Sequence, residues 1–298
     1  FSDANVVVLE IETGDGYGIT AAVEFGDRLI CFGKKQAYII DDSSSDTSQW
    51  GYYQAQWTGG AAHWRLVSKI RNDVIVMTEE GDIYSLTAVQ SYGDYKAASI
   101  AKPAYIDRWI RDNCDLTHID KFHMVYDPYL KALKIFVVRD GETEVDTALV
   151  YFINRSPEEG WMIYTGTADS HGYKASCSTV VYSSYGDYRV YTGDYEGYIW
   201  KLEETTKSDE GYGYYSWIET PRIYFENPRT DKIVRRGIVS CKGNGTYDLT
   251  VNAEIDGTLL SQKTISLADG NYAALGDFRL GADKLGAPDI SDKEISFG

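Results

Sequence analysis

Short apolar strands bounded by polar Gly/Asp turns recur along the first part of the chain. The copies read GDRLICFGKKQAYIID (residues 26–41), NDVIVMTEEGDIYSLT (72–87) and GDYRVYTGDYEGYIWKL (186–202). Each has a Gly/Asn-Asp turn, an apolar strand, a tight turn and a second strand carrying an aromatic. A longer relative, LKALKIFVVRDGETEVDTALVYFINRS, covers residues 130–156. The second-strand tyrosines Tyr38, Tyr84, Tyr151 and Tyr198 are spaced by 46, 67 and 47 residues. Sheet units recurring every ~40–50 residues are the mark of a propeller, in which each blade buries its faces only against its neighbours. The four tyrosines are expected at equivalent places in successive sheets.

A single helix is predicted over residues 101–113, AKPAYIDRWIRDN, with Pro103 in its first turn. Tyr105/Trp109 and Ile106/Ile110 form apolar i,i+4 pairs there. It falls where the tyrosine spacing widens, as an insertion or a bridge between blades. The polar, glycine-containing stretch TTKSDEGYGYY (205–215) suggests a domain boundary. The resulting division is a propeller-like domain over 1–205, whose closure the sequence leaves open, and a β-sandwich-like domain with an irregular arm over 206–298. In the second, RIYFE, KIVRRGIVSC, TYDLTVNAEID and TLLSQKTISL read as a four-strand antiparallel meander. Tyr247, Leu249, Val251, Ala253 and Ile255 point inward and Asp248, Thr250, Asn252 and Glu254 outward, a period of two. Leu-Gly recurs at 275, 280 and 285, a five-residue period that fits neither helix nor strand. The fold class is therefore all-β, a repeat of antiparallel sheets followed by a small sandwich-like domain.

Composition narrows the function. A net charge of -16, from 45 acids against 29 bases, opposes general nucleic-acid binding, because such binding draws its affinity from phosphate neutralisation. No stretch approaches the ~18–20 apolar residues that a membrane-spanning helix needs. The 25 tyrosines suit half-buried pleated surfaces or an aromatic contact surface. Residues 5–11, NVVVLEI, read as a strand without a preceding partner, as expected of the ordered part of something longer. Cys31, Cys114, Cys177 and Cys241 lie far apart and read as free buried thiols rather than a disulfide framework. His118 and His123 match no zinc spacing.

Other constellations fall to structural readings. TGDGYG (13–18) precedes a strand, not a helix that would hold a pyrophosphate. DDSSSDTSQW (41–50) lacks the glycine and terminal glutamate of a calcium loop. SPEEGW (156–161) is only loosely similar to a sialidase Asp-box turn. Asp73, Asp82, Asp187 and Asp194 sit in repeated turns, where Asp is favoured by local hydrogen bonding. Asn154 and Asn244 begin glycosylation sequons that carry little weight without a secretion signal. No catalytic residue, cofactor site or metal site is singled out.

The order of a propeller-like repeat, then WIETPRIYF (217–225), then KIVRR and GNGTYDLTV, with LGDFRLG near the end, resembles the tail nozzle proteins of short-tailed bacteriophages, also called tail stabilisation or hub proteins. The resemblance implies a non-enzymatic virion protein. Six copies would form a ring beneath portal and adaptor, alongside a tail fibre or needle, with DNA passing through. On that reading Asp27, Asp73, Asp82, Asp187 and Asp194 are candidates to face the channel, since an acidic wall would not grip sliding phosphates. The basic run Arg222, Arg229, Lys232, Arg235 and Arg236 is the candidate for contacts between subunits. The alternative is a carbohydrate-active propeller enzyme or sugar-binding module, which would need converging carboxyls across a cleft. A secreted adhesion module is a third class.

Overall fold

The structure, a computed structural model, describes residues 9–14, 16–26, 28–55, 57, 59–70, 73–89, 94–165, 173–182, 186–203, 216–219, 237–241, 248–255, 258–266 and 291–295. The chain is all-β and divides into two compact units, Phe1–Ser216 and Trp217–Gly298. The boundary expected after residue 205 lies outside the described residues.

Among the described residues of the first unit, four antiparallel sheets follow one another. They comprise β1 (Ala21–Phe25), β2 (Arg28–Phe32), β3 (Ala37–Asp41) and β4 (Gly51–Gln54); then β5 (Val67–Ile70), β6 (Asp73–Met77), β7 (Ile83–Val89) and β8 (Asp94–Ser99). The third sheet holds β9 (His123–Asp127), β10 (Ala132–Val137), β11 (Thr147–Phe152) and β12 (Trp161–Thr165). The fourth holds β13 (Ala175–Tyr182), β14 (Tyr188–Asp194) and β15 (Ile199–Lys201). Each is a simple meander, with every strand hydrogen-bonded to its sequence neighbour. All four hairpins expected from the sequence are present, as the second and third strands of their sheets.

The sheets stack face to face in chain order. Phe32, Ile39 and Trp57 bury one face of the first sheet against Val74, Val76 and Leu86 of the second. Trp57 lies edge-on to Phe32 at 6.0 Å and tilted against Tyr84 at 5.5 Å. Ile75, Met77 and Ile83, on the other face of the second sheet, join Leu133, Ile135 and Leu149 of the third. Ala175, Val190 and Leu202 continue the same core into the fourth. The first strands β1, β5, β9 and β13 of successive sheets lie beside one another. This is a propeller-like succession. A buried Leu, Ile or Phe in such a core contributes about 1.5–3 kcal/mol relative to exposure.

Three of the repeat tyrosines share a rule. Tyr38, Tyr84 and Tyr151 lie on the third strands of their sheets, and Tyr198 immediately precedes the third strand of the fourth. Tyr38 packs with Leu9 and Ile11 ahead of the first sheet, while Tyr84 joins the core shared with the first sheet. Tyr151 packs on Trp161, whose indole N–H donates to Ile100 O at the end of the second sheet. Each therefore faces what precedes it in the chain. Tyr198 is 58% exposed, and Tyr151 is the next-to-last residue of its strand whereas Tyr38 and Tyr84 are the second, so the register of the repeat is not strict.

The helix is shorter than predicted. A 3-10 turn at Lys102–Ala104 ends at Tyr105, whose φ of 58° breaks the run, and α1 spans Ile106–Asn113. Lys102 is tied to the second sheet through a 2.7 Å ion pair with Asp82, which aims the first turn by sheet contacts rather than by helix geometry. Ile106 and Ile110 are buried as expected, but Tyr105 is 73% exposed and its pairing with Trp109 buries little of it. Gly81 lets the helix approach. Its φ is +81°, and a Cβ there would lie 2.7 Å from Ile110 Cγ2.

In the second unit β16 (Gly237–Cys241), β17 (Asp248–Ile255), β18 (Thr258–Ser266) and β19 (Ser291–Ile295) form two two-stranded sheets among the described residues. The predicted alternation in β17 holds: Asp248, Thr250, Asn252 and Glu254 are exposed, and Leu249, Val251 and Ala253 less so. The meander order does not hold. β16 pairs with β19 instead of β17, and RIYFE lies outside the described residues. Nothing in SDKEI alternates apolar with polar, which is why its pairing went unpredicted.

Two predictions follow from the first unit's packing. A Cβ on Gly60 would stand 2.1 Å from Gly33 O and 2.3 Å from Lys34 C, backbone atoms that cannot rotate away. Gly60→Ala is expected to cost about 3 kcal/mol or more in denaturant unfolding, the upper end of overpacking costs. Gly51→Ala, with nothing within 4 Å of its Cβ, should stay within about 0.5 kcal/mol.

The second concerns His123, buried at the start of β9 and stacked on Phe136 at 4.7 Å. Burial, aided by the Arg65 charge, lowers its pKa to about 3. The folded protein thus holds the ring neutral, whereas the unfolded chain takes up its proton near pH 6.5. The stability from this residue is full above about pH 6.5 and is lost as pH falls toward 3, by about 3 kcal/mol at pH 4. Urea unfolding from pH 7 to 4 should show a shallower decline for His123→Asn than for the wild type. Parallel declines would contradict this.

Candidate functional site

The turn carboxylates proposed to face a channel are placed by the hairpins themselves. Asp73 opens β6, where Oδ1 accepts the Val74 N–H at 2.7 Å and Oδ2 accepts the Ser85 hydroxyl at 2.5 Å. Burial pushes its pKa up despite those bonds. Asp82 precedes β7. Its Oδ1 accepts from Ile83 N and Ser99 Oγ at 2.8 and 2.6 Å, and Oδ2 pairs with Lys102 Nζ. Burial alone would raise the Asp82 pKa, but the donors from Lys102 and Ser99 outweigh it and hold the carboxyl below its ordinary value. Asp194 ends β14, taking the Glu196 and Tyr198 N–H groups on Oδ1 and the Trp200 indole N–H on Oδ2, at 2.8–2.9 Å. Its pKa is lowered by these donors against the opposing effect of burial.

Asp82 and Asp194 are buried within the chain, with their oxygens committed to local turns. Asp187 keeps an open carboxylate, 45% exposed, and pairs with Arg189 at 2.7 Å. The set is also split in space. Asp73 and Asp187 belong to turns between first and second strands, whereas Asp82 and Asp194 belong to turns between second and third. In a meander those turns lie at opposite strand ends, about 17 Å apart for a five-residue strand. Four acids so placed do not share one edge. Asp27 lies outside the described residues, as do Arg222, Arg229, Lys232, Arg235 and Arg236.

The first strands themselves carry little charge. Glu24 of β1 and Lys69 of β5 approach each other at 3.9 Å, and Asp127 of β9 is buried. Neither acid adds an unpaired exposed charge to that side of the sheets.

Charged groups unforeseen in the sequence occupy the interior. Lys134 of β10 is fully buried, 3.3 Å from Asp127 Oδ2 and 2.5 Å from Glu203 Oε1. The run KALKIFVV carried the signal: a strand apolar at nearly every position is buried on both faces, so a lysine within it must be paired. Arg65, just ahead of β5, donates to Ser176 O on β13, joining the second sheet to the fourth beside His123. Arg65 follows Trp64, which is 65% exposed and lies 5.6 Å from His63 ring to ring.

Other expected groups are structural where described. Asp46 caps a 3-10 turn within the serine-rich loop, accepting the Ser48 N–H at 3.0 Å. Asp115 caps the turn holding His118 and pairs with its Nδ1 at 2.8 Å. Cys31 and Cys114 are buried free thiols, the latter with a pKa pushed up to about 12 by burial, and Cys177 is free and exposed. Gly160 of the SPEEGW turn sits directly under the Tyr151 ring. Among the described residues no group of three or more His, Cys, Asp and Glu is arranged to hold a metal. No described helix is long and apolar enough to cross a membrane.

No protein-family model matches the chain, and no curated protein matches it.

The two kinds of turn acid are separable by mutation. Asp194→Ala removes three hydrogen bonds to a charged acceptor and is expected to cost about 2 kcal/mol. Asp187→Ala removes a single ion pair whose carboxylate is half exposed, and should cost about 1 kcal/mol or less. Chemical denaturation of the two variants gives the comparison.

Proposed function

We propose that the chain is a non-enzymatic structural component of a bacteriophage tail, present in the virion as one subunit of a ring-shaped nozzle through which DNA passes. The observation that carries this reading is the succession of sheets stacked in chain order, the architecture expected from the resemblance. It is supported by the use made of the polar side chains, whose carboxylates serve turns and internal ion pairs. The partners are further copies of the chain, six in the ring, with an adaptor and a tail fibre or needle adjoining it. The placement of Asp73, Asp82, Asp187 and Asp194 argues against these acids as one continuous lining. If the channel is acidic, other exposed acids make it so.

One observation favours the carbohydrate alternative. Trp64 and the Tyr182–Tyr188 pair, with rings 4.8 Å apart, are exposed aromatics of the kind on which sugar rings stack. Two measurements decide between the readings. Mass measurement and imaging of the purified chain, with and without neighbouring virion proteins, should reveal a ring with a channel wide enough for a duplex. Incubation with polysaccharides and peptidoglycan should give no turnover. A persistent monomer that binds or cleaves a glycan, with loss in Trp64→Ala, would reverse the assignment.

A further inference from the structure

The joints between successive sheets differ in kind. The first joint is built from Phe32, Ile39, Trp57, Val74, Val76 and Leu86, and its ion pairs, Lys34–Glu79 and Lys69–Glu24, lie at partly exposed margins rather than in the core. At the last joint the fourth sheet gives only Ala175, Val190 and Leu202 to the buried apolar core. The rest is polar. The Lys134 ammonium, fully buried on β10, touches Glu203 Oε1 at 2.5 Å, immediately beyond β15. Its other acid, Asp127, lies 3.3 Å away without hydrogen-bond alignment, and Asp127 Oδ1 already serves the Tyr129 and Leu130 N–H groups. Ser178 Oγ, on the face of β13 that also carries Val180, and Arg189 Nε are buried without partners. The Arg189 guanidinium covers the Tyr129 ring of the third sheet at 3.5 Å. Glu203 has a φ of 60°, a left-handed conformation that a side-chain-bearing residue adopts only under restraint.

Separating two apolar faces exposes hydrocarbon to water, whereas separating a charged joint rehydrates ions and hydrogen-bonding groups that burial had stripped. The last joint therefore opens at the lowest cost, and relief of the Glu203 backbone lowers that cost again. We propose that the fourth sheet is a separately opening element and that the Lys134–Glu203 contact is the latch that holds it against the third.

Native-state hydrogen exchange on the whole chain tests this independently of the tail assignment. Amides of β13–β15 are expected to exchange together, about tenfold or more faster than those of β10 and β11. Glu203→Gln, a change at a partly exposed site, should speed β13–β15 by about a further tenfold and leave β1–β8 unchanged. Equal protection of the third and fourth sheets in the wild type would overturn the proposal. So would a Glu203→Gln effect spread evenly over all four sheets, which marks general destabilisation, or no effect on β13–β15.

Discussion

The second and third sheets of the first unit each have two faces to bury, with only one short helix, α1, to help cover them. A lone antiparallel sheet solves this by leaving one face wet, and its strands then alternate apolar with polar. The second and third sheets do not: Val74 and Val76 face one neighbour while Ile75 and Met77 face the other. Burial on both sides forces the sheets into a stack, and the stack fixes the rest. It demands short meanders with tight turns, and it leaves almost all exposed polarity to the turns and the sheet margins.

Turn chemistry follows from that constraint. With strands this short, each reversal must satisfy its own backbone within a few residues. Aspartate does so repeatedly, accepting N–H groups one to four positions ahead at Asp73, Asp82, Asp127 and Asp194. The acidity of the chain is thus partly a by-product of how it turns. A carboxylate engaged in this way is a poor candidate for ligand chemistry, because its lone pairs are already occupied. Net charge counted from composition cannot distinguish it from one that faces solvent.

The parts of the fold legible in the sequence were those with a local cause. The four hairpins, the solvated loop at 41–50 and the alternation in β17 were each encoded within a dozen or so residues. What escaped depended on distant contacts. Tyr105 sits in a segment that reads as helix, but Lys102 is held by Asp82 from another element, and the run breaks there. β19 has no periodic signature of its own and is a strand because β16 pairs with it. The candidate acids were identified as turn residues correctly, yet their grouping on one surface assumed that similar turns lie at the same strand end. The buried Lys134 lay within a quoted motif. Its apolar neighbours on both sides were the clue to its depth, and no local pattern named its partner 69 positions away.

The Arg65 contact bears on the order in which the chain becomes native. Its acceptor, the carbonyl of Ser176, lies 111 residues downstream. During synthesis the second sheet is complete, and the third follows, before that carbonyl exists. Until then the guanidinium has only water for that bond, and the sides of three sheets near β5, β9 and β13 remain unsealed. At roughly 5–20 residues per second, synthesis takes several seconds to cover that separation, whereas a hairpin forms in microseconds. The chain therefore passes through a stage with its hairpins made and this seam open, when the flank of β9 is accessible to whatever meets the nascent protein first.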